Sequence, residues 1–285
     1  MVDDPKAVLL VGGKGTRLRS VLPSTPKPLA SVGNRSFLEL LVRQLRSQEI
    51  HHVVMCTGYL AEQIESEFGS GHDLDVTIEY SKELYPLGTA GAVKLAKPYL
   101  NDASAFLVLN GDSFLEIDFR QLIRFHHEHG GLASIAVSRV KNASRYGTVQ
   151  VDADMRVMGF FEKMVQECSG IINAGVYVFS RAVFDHIPDT PSSLEKNVLP
   201  QLLDLGVYAL EQRGMFIDIG TPEDYARAQG LCDRLYEAAF LRQPSPSRMR
   251  RCLWLNSNPT CLLFLSIQTG FLIGPLIIAR TGASV

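Results

Sequence analysis

Three glycines and three cations gather near the N-terminus, in Gly12-Gly13-Lys14-Gly15-Thr16-Arg17-Leu18 and then Pro26-Lys27-Pro28. Glycines let a chain turn tightly and bring its N–H groups against an anion. Two prolines stiffen the backbone around Lys27 and present it in a fixed place. Together with Arg17 the chemistry in view is phosphate binding. Two familiar templates fail: a dinucleotide fingerprint needs glycine where Leu18 stands, and a P-loop ends in Gly-Lys-Ser/Thr, whereas Lys14 lies inside the glycines. Taken singly, the glycines could be an ordinary turn and Lys27 a solvated lysine; Arg17 and the proline-flanked lysine together shift the balance.

Two carboxylates complete the set. Asp112 follows an apolar run in Leu109-Asn110-Gly111-Asp112, and Asp218 stands among apolar neighbours in Phe216-Ile217-Asp218-Ile219. A lone carboxylate in such surroundings is costly without a cation. Each could instead be a turn or capping aspartate, but Thr221 already suits the cap next to Asp218.

The elements that must position these groups follow from periodicity. Up to Leu109, short apolar runs alternate with amphipathic stretches: strands near Ala7–Val11, Val53–Thr57, Val76–Tyr80 and Ala105–Leu109, and helices after the Ser36…Glu39 capping box, over Leu60–Phe68 and over Ala90–Leu100. That rhythm predicts an α/β fold, a Rossmann-like mixed and mostly parallel sheet covered by helices on both faces. The acid at the end of a central strand, Asp112, then sits where open α/β sheets place ligands. After Phe119 comes a helix to His129, then closely spaced strands (Ala133–Arg139, Gly147–Val151, Val157–Phe161, Ile171–Phe179) that read as an antiparallel addition. Thr221-Pro222-Glu223-Asp224 opens a later helix with cap, proline and first-turn acids.

The chain has 285 residues, 46% hydrophobic and 20% charged, with a net charge of -2. A sizeable core is affordable, and with no basic stripe a nucleic-acid partner is not expected. Five cysteines without a CxxC pair imply no disulfide framework or zinc site, which suits a cytoplasmic setting. Cys56 reads as a small buried hydrophobe, and His126, His127 and His129 as surface residues of one helix. The opening residues do not read as a signal peptide. The expected organisation is a catalytic domain over 1–240, then a linker and hydrophobic tail over 241–285. Thr260–Ala279 carries no charge and has the length of a bilayer span, although Gln268, Gly270, Gly274 and Pro275 interrupt it.

GGKGTRLR followed by PKPL resembles the signature of the sugar-1-phosphate nucleotidyltransferases, and the resemblance runs from about Lys6 to Leu235. It implies the nucleotide-diphospho-sugar transferase type of α/β fold, with an NTP and a sugar 1-phosphate as substrates and magnesium as cofactor. On that likeness Leu10, Gly12, Gly13, Gly15 and Thr16 wrap the nucleotide, Arg17 neutralises the leaving pyrophosphate, and Lys27 contacts the reacting phosphates. Gly88 and Thr89, in Leu87-Gly-Thr-Ala-Gly91, lie against the nucleoside; Thr89 also suits a helix cap. Asp112 and Asp218 match the magnesium ligands. On the sugar side, Gly147 in Arg145-Tyr146-Gly147 matches the glycine that lets sugar hydroxyls meet the backbone. Glu162 and Asn173 match residues that hold hydroxyls, and Lys163 matches the lysine on the sugar phosphate.

Arg17-Leu18-Arg19-Ser20-Val21 departs from the commoner family form. With Tyr80–Gly91 and Ser193-Leu-Glu-Lys196, it looks like the D-glycero-D-manno-heptose 1-phosphate guanylyltransferases. Mannose 1-phosphate guanylyl and glucose 1-phosphate uridylyl or thymidylyl transfer stay open. So do a glycosyltransferase, a nucleotide-sugar sensor, a homo-oligomer and membrane contact through the tail.

Overall fold

The structure, a computed structural model, describes residues 5–161 and 169–240. Glu162, Lys163 and the whole 241–285 tail lie outside the described residues, and the domain boundary expected at 240 falls at their edge.

In chain order the strands are β1 Lys6–Leu10, the short pair β2 Ser31–Val32 and β3 Arg35–Ser36, β4 His52–Thr57, β5 Thr77–Lys82, β6 Ala105–Asn110, β7 Ser113–Leu115, β8 Ala133–Val140, β9 Thr148–Val151, β10 Val157–Phe161, β11 Gly170–Ser180, β12 Val207–Gln212 and β13 Phe216–Asp218. The helices are α1 Phe37–Ser47, α2 Ala61–Phe68, α3 Gly88–Leu95, α4 Phe119–His129, the single turn α5 Leu199–Gln201, α6 Pro222–Gln229 and α7 Cys232–Phe240.

A nine-stranded sheet carries the fold, in the order β10-β9-β11-β6-β1-β4-β5, with β8 on the remaining side of β11 and β12 beyond it. β6, β1, β4 and β5 are parallel, as the alternation predicted. β11 runs antiparallel to both β6 and β8, while β12 returns parallel to β8. The addition is therefore mixed at its outer edge. The near-continuous apolar runs follow from burial on both faces. Ala7 and Leu9 enter one core with α1, and Val8 enters the other with α3. The same alternation recurs at Met55 against Cys56 and at Leu107 against Val108.

Local signals held where they were strongest. Ser36 Oγ accepts from the Glu39 N–H at 3.3 Å, and Thr221 Oγ1 from the Asp224 N–H at 3.3 Å. His126 departs from expectation: it is 2% exposed. Its Nδ1 lies 3.0 Å from Ser134 Oγ and its Nε2 2.9 Å from Ser180 Oγ, so α4 is pinned to β8 and β11 through a polar side chain. The periodicity missed this because partners on two later strands are invisible locally. His127 is exposed, as read. Among the described residues no helix is long and apolar enough to cross a membrane.

Candidate active site

The glycine loop leaves the carboxyl end of β1. Gly15 takes a left-handed φ of 57° just before a tight 3-10 turn, Thr16–Leu18. Leu18 is fully buried and anchors that turn, leaving Arg17 exposed at the lip of a cleft. A side chain on Gly12 would come within 3.1 Å of Glu83 Oε1 and the Gly58 nitrogen, whereas Gly13 faces open space. The cleft has a volume of about 730 Å³ and takes Leu10, the glycine loop, Arg17, Lys27, Gly88 and Thr89 into its wall.

Lys27 opens a second 3-10 turn, held between its two prolines. Its ammonium reaches Asp112 Oδ2 at 2.6 Å. Asp112 follows β6, and β7 immediately after it pairs antiparallel with β13, setting Asp218 opposite Ser113. The Ile219 N–H donates to the Asp112 carbonyl at 2.9 Å, and the Gly220 N–H to Asp218 Oδ1 at 2.7 Å. Two carboxylates remote in sequence thus face each other. Burial raises the pKa of Asp218, and the Asp112 charge raises it further; Lys27 and the Gly220 N–H oppose that. Among the described residues no group of three or more His, Cys, Asp or Glu side chains could hold a metal. Two oxygen-donor carboxylates whose mutual repulsion Lys27 offsets only in part nevertheless fit a hard divalent cation whose other ligands are phosphate and water.

The opposite wall departs from one expectation. α3 starts at Gly88, with no side-chain cap. Thr89 is not the cap: its hydroxyl accepts from the Leu194 N–H at 2.7 Å and donates to Glu195 Oε2 at 3.1 Å. Gly88 is left-handed, at φ 73°, and a Cβ there would lie 2.4 Å from the Ser192 carbonyl oxygen. Only glycine allows the 192–195 segment to come so close.

Glu83 was not singled out in the sequence. Its backbone N–H continues the sheet edge onto the Thr57 carbonyl, which turns its side chain into the cleft wall. One oxygen accepts from the Leu87 N–H at 3.0 Å, and the other packs against Gly12 and Gly58. Burial raises its pKa, opposed by the Leu87 N–H. The only advance signal was its place in Tyr80–Gly91.

A second cavity, of about 490 Å³, opens across Asn110, which borders both spaces. Gly147, Asn173, Tyr177 and Glu195 line it. β11 shifts register between Asn173 and Val176, and Gly175 turns left-handed there at φ 75°. Asn173 Nδ2 donates to Tyr177 Oη at 3.0 Å, and its Oδ1 accepts from the Gly175 N–H at 3.0 Å. Tyr177 donates to Glu195 Oε1 at 3.2 Å, and Ser193 to Glu195 Oε2 at 2.9 Å. Tyr177 is fully buried and its phenol is pushed well above its usual pKa by burial and the Glu195 charge, so it remains a donor. Asn110 Oδ1 is buried without a hydrogen-bond partner at the junction of the two cavities. The structure therefore brings together Arg17, Lys27, Asp112, the glycine loop, Gly88 and Thr89 around the cleft, sets Asp218 near enough to feel the Asp112 and Lys27 charges, and places Gly147 with Asn173 in the wall of the adjoining cavity.

Residues 6–233 match the family model described as Nucleotidyl transferase. The chain is 38% identical over 244 residues to the mannose-1-phosphate guanylyltransferase catalytic subunit beta of Drosophila pseudoobscura pseudoobscura, covering 85% of this chain and 65% of that protein. The protein of that name from Danio rerio is 38% identical over 249 residues, 86% of this chain and 68% of its own. The chain thus spans about two thirds of these relatives' length. Among solved structures, HddC from Yersinia pseudotuberculosis complexed with GMP-PN superposes with a TM-score of 0.72 at 33% identity, covering 79% of this chain and 98% of that one. The phosphate-binding turn, the paired carboxylates and the two adjoining cavities all fall inside the matched region, and the chain belongs to the nucleotidyl transferase family.

Proposed function

We propose that this chain transfers a guanylyl group from GTP to a manno-configured sugar 1-phosphate, releasing pyrophosphate. The observation that carries the reading is the cluster of Lys27, Asp112 and Asp218 beside two adjoining cavities that share Asn110. One cavity is walled by a glycine loop and the other by hydroxyl-binding side chains. A phosphate oxygen of the sugar 1-phosphate attacks the α-phosphorus of GTP as the bond to the β-phosphate oxygen breaks. The nucleophile is already anionic, so no general base is required.

The protein's part is placement and charge. Backbone N–H groups of Gly12–Gly15 receive the triphosphate, Arg17 at the lip meets the departing pyrophosphate, and Lys27 offsets the repulsion between the two phosphates. Asp112 and Asp218 would hold Mg2+, which supplies neutralisation of the reacting phosphates. Gly147 and Asn173 receive sugar hydroxyls, and Glu162 and Lys163 are assigned the sugar and its phosphate on their motif.

Guanine is supported by Glu83. Guanine offers N1–H and N2–H donors side by side, and an ionised carboxylate is an acceptor only. Uracil and thymine offer a single N–H donor flanked by carbonyls, and so make one such bond where guanine makes two. The guanylyltransferase relatives and the GMP-PN complex of HddC support the same base. The relatives are named for mannose 1-phosphate, and the Ser193–Lys196 and Tyr80–Gly91 motifs resemble enzymes using D-glycero-D-manno-heptose 1-phosphate. The two sugars share the manno ring and differ beyond C6.

Pyrophosphate release with Mg2+ tests this, using GTP, ATP, UTP, CTP and dTTP against mannose, heptose and glucose 1-phosphates. GTP with a manno acceptor should be the preferred pair. Faster turnover of the heptose ester would assign the longer sugar, and faster turnover of the mannose ester the hexose. A best rate from glucose 1-phosphate with UTP or dTTP would overturn the guanylyl assignment.

A further inference from the structure

We infer that Arg145 is a positioning residue for the sugar side, a guanidinium clamp that ties the loop carrying Gly147 to the segment carrying Asp218. The inference rests on the function proposed above and goes beyond it by naming what holds its two halves in register.

The loop between β8 and β9 is folded by its own short contacts. Asn142 Oδ1 accepts from the Ser144 N–H at 3.0 Å and from the Ser144 hydroxyl at 2.7 Å, and the Tyr146 N–H donates to the Ala143 carbonyl at 2.9 Å. Arg145 reaches across to the first turn of α6. Its Nη1 donates to Asp224 Oδ1 at 3.1 Å, while Nη2 donates to Asp224 Oδ2 and, at 3.0 Å, to Thr221 Oγ1. Asp224 is 2% exposed. Its other close partner is the Thr221 hydroxyl at 3.0 Å, while Arg227 stays at 4.0 Å.

A two-pronged guanidinium on a buried carboxylate fixes orientation as well as distance. The next residue repeats the connection: the Tyr146 ring meets Phe216 of β13 edge-on, 5.6 Å between centroids. Gly147 follows, and its carbonyl accepts from the Asn173 N–H at 3.4 Å. The order of contacts is therefore α6, Arg145, Tyr146, Gly147, Asn173. The surface that receives the sugar is referenced to the strand and helix on either side of Asp218, which pack around it from sequence far away.

Substitution separates positioning from charge neutralisation. Arg145→Met should raise KM for the sugar 1-phosphate about tenfold or more while KM for GTP stays within about twofold, with Arg145→Lys in between because it lacks the fork. Arg145→Met also leaves the buried Asp224 carboxylate with only the Thr221 hydroxyl and the more distant Arg227, so its Tm should fall. Adding Asp224→Asn removes that charge and should recover the Tm, yet leave KM for the sugar raised. An unchanged sugar KM in Arg145→Met, an equal rise for both substrates, or a double variant that regains sugar KM along with Tm would each overturn the clamp with the proposed reaction intact. A wild-type protein silent with every sugar 1-phosphate would instead remove the proposed reaction, and the clamp with it.

Discussion

The two cavities are built on different principles. The wall around the glycine loop is mostly main chain: a side chain on Gly12 would press within 3.1 Å of Glu83 and Gly58, Gly13 faces open space and Gly15 supplies the left-handed turn. The wall of the second cavity, the one proposed to receive the sugar, is mostly side chain, and its groups engage one another: Asn173 with Tyr177, Tyr177 with Glu195, Glu195 with Ser193 and Thr89. A triphosphate is the same in every NTP, so backbone N–H groups, which carry no side-chain identity, suffice to hold it. A sugar is distinguished only by the orientation of its hydroxyls, and reading orientation needs side chains that cannot rotate. Neither wall owns the chemistry: Lys27 comes from the segment after the glycine loop, Asp112 from the end of β6 and Asp218 from β13.

The largest effect should come from that seam. Asp112→Asn and Asp218→Asn should each lower kcat by about 10³-fold or more, because the charge needed beside the phosphates is lost. Asp218→Asn should leave Tm unchanged or raised, since the Asp218 charge is disfavoured by burial and by Asp112. Near-normal turnover in either variant would move the chemistry elsewhere and leave the two walls without a common centre.

Glu83, proposed to read the base from the main-chain wall, should give an intermediate effect. Glu83→Gln should raise KM for GTP about 10- to 100-fold, the range of a charge-assisted hydrogen bond, at roughly 1.5–3 kcal/mol. KM for the sugar 1-phosphate should not move. A GTP KM unaffected by the change would mean that guanine is read by the backbone alone, and the contrast between the walls would become sharper.

The smallest effect lies where α4 packs on β8 and β11. The His126 pKa is pushed down to about 4 by burial and, secondarily, by His127. The folded state thus resists a proton that the unfolded chain accepts near 6.5. The associated stability is present above that value and is lost as pH falls toward 4. Unfolding free energy measured in urea should drop by about 2 kcal/mol between pH 7 and pH 5 on this account. A His126→Asn variant that shows the same drop would assign it to other groups.

Much of this site was legible in the sequence because its parts are short-range. A glycine turn after a strand, a lysine between prolines and a helix cap at Thr221 are each encoded within a few residues. What escaped depends on distant partners. Phe216–Ile219 was legible as an apolar, strand-like run, but β7 is three residues long, too short for periodicity to register, and its pairing with β13 is what brings Asp218 to Asp112. Thr89 looked like a cap because the residues it bonds, Leu194 and Glu195, are more than a hundred positions away. Arg145 and Asp224 are likewise separated by 79 positions, and nothing local marks either as half of a pair.

The direct test of nucleotidyl transfer is the pyrophosphate assay followed to its products by 31P NMR, with GTP, Mg2+ and the better of the two manno-configured sugar 1-phosphates. The account predicts one pyrophosphate for each GDP-sugar formed, with the sugar phosphate retained in the product. Release of GDP without pyrophosphate, or no reaction from folded protein with any acceptor, would contradict it.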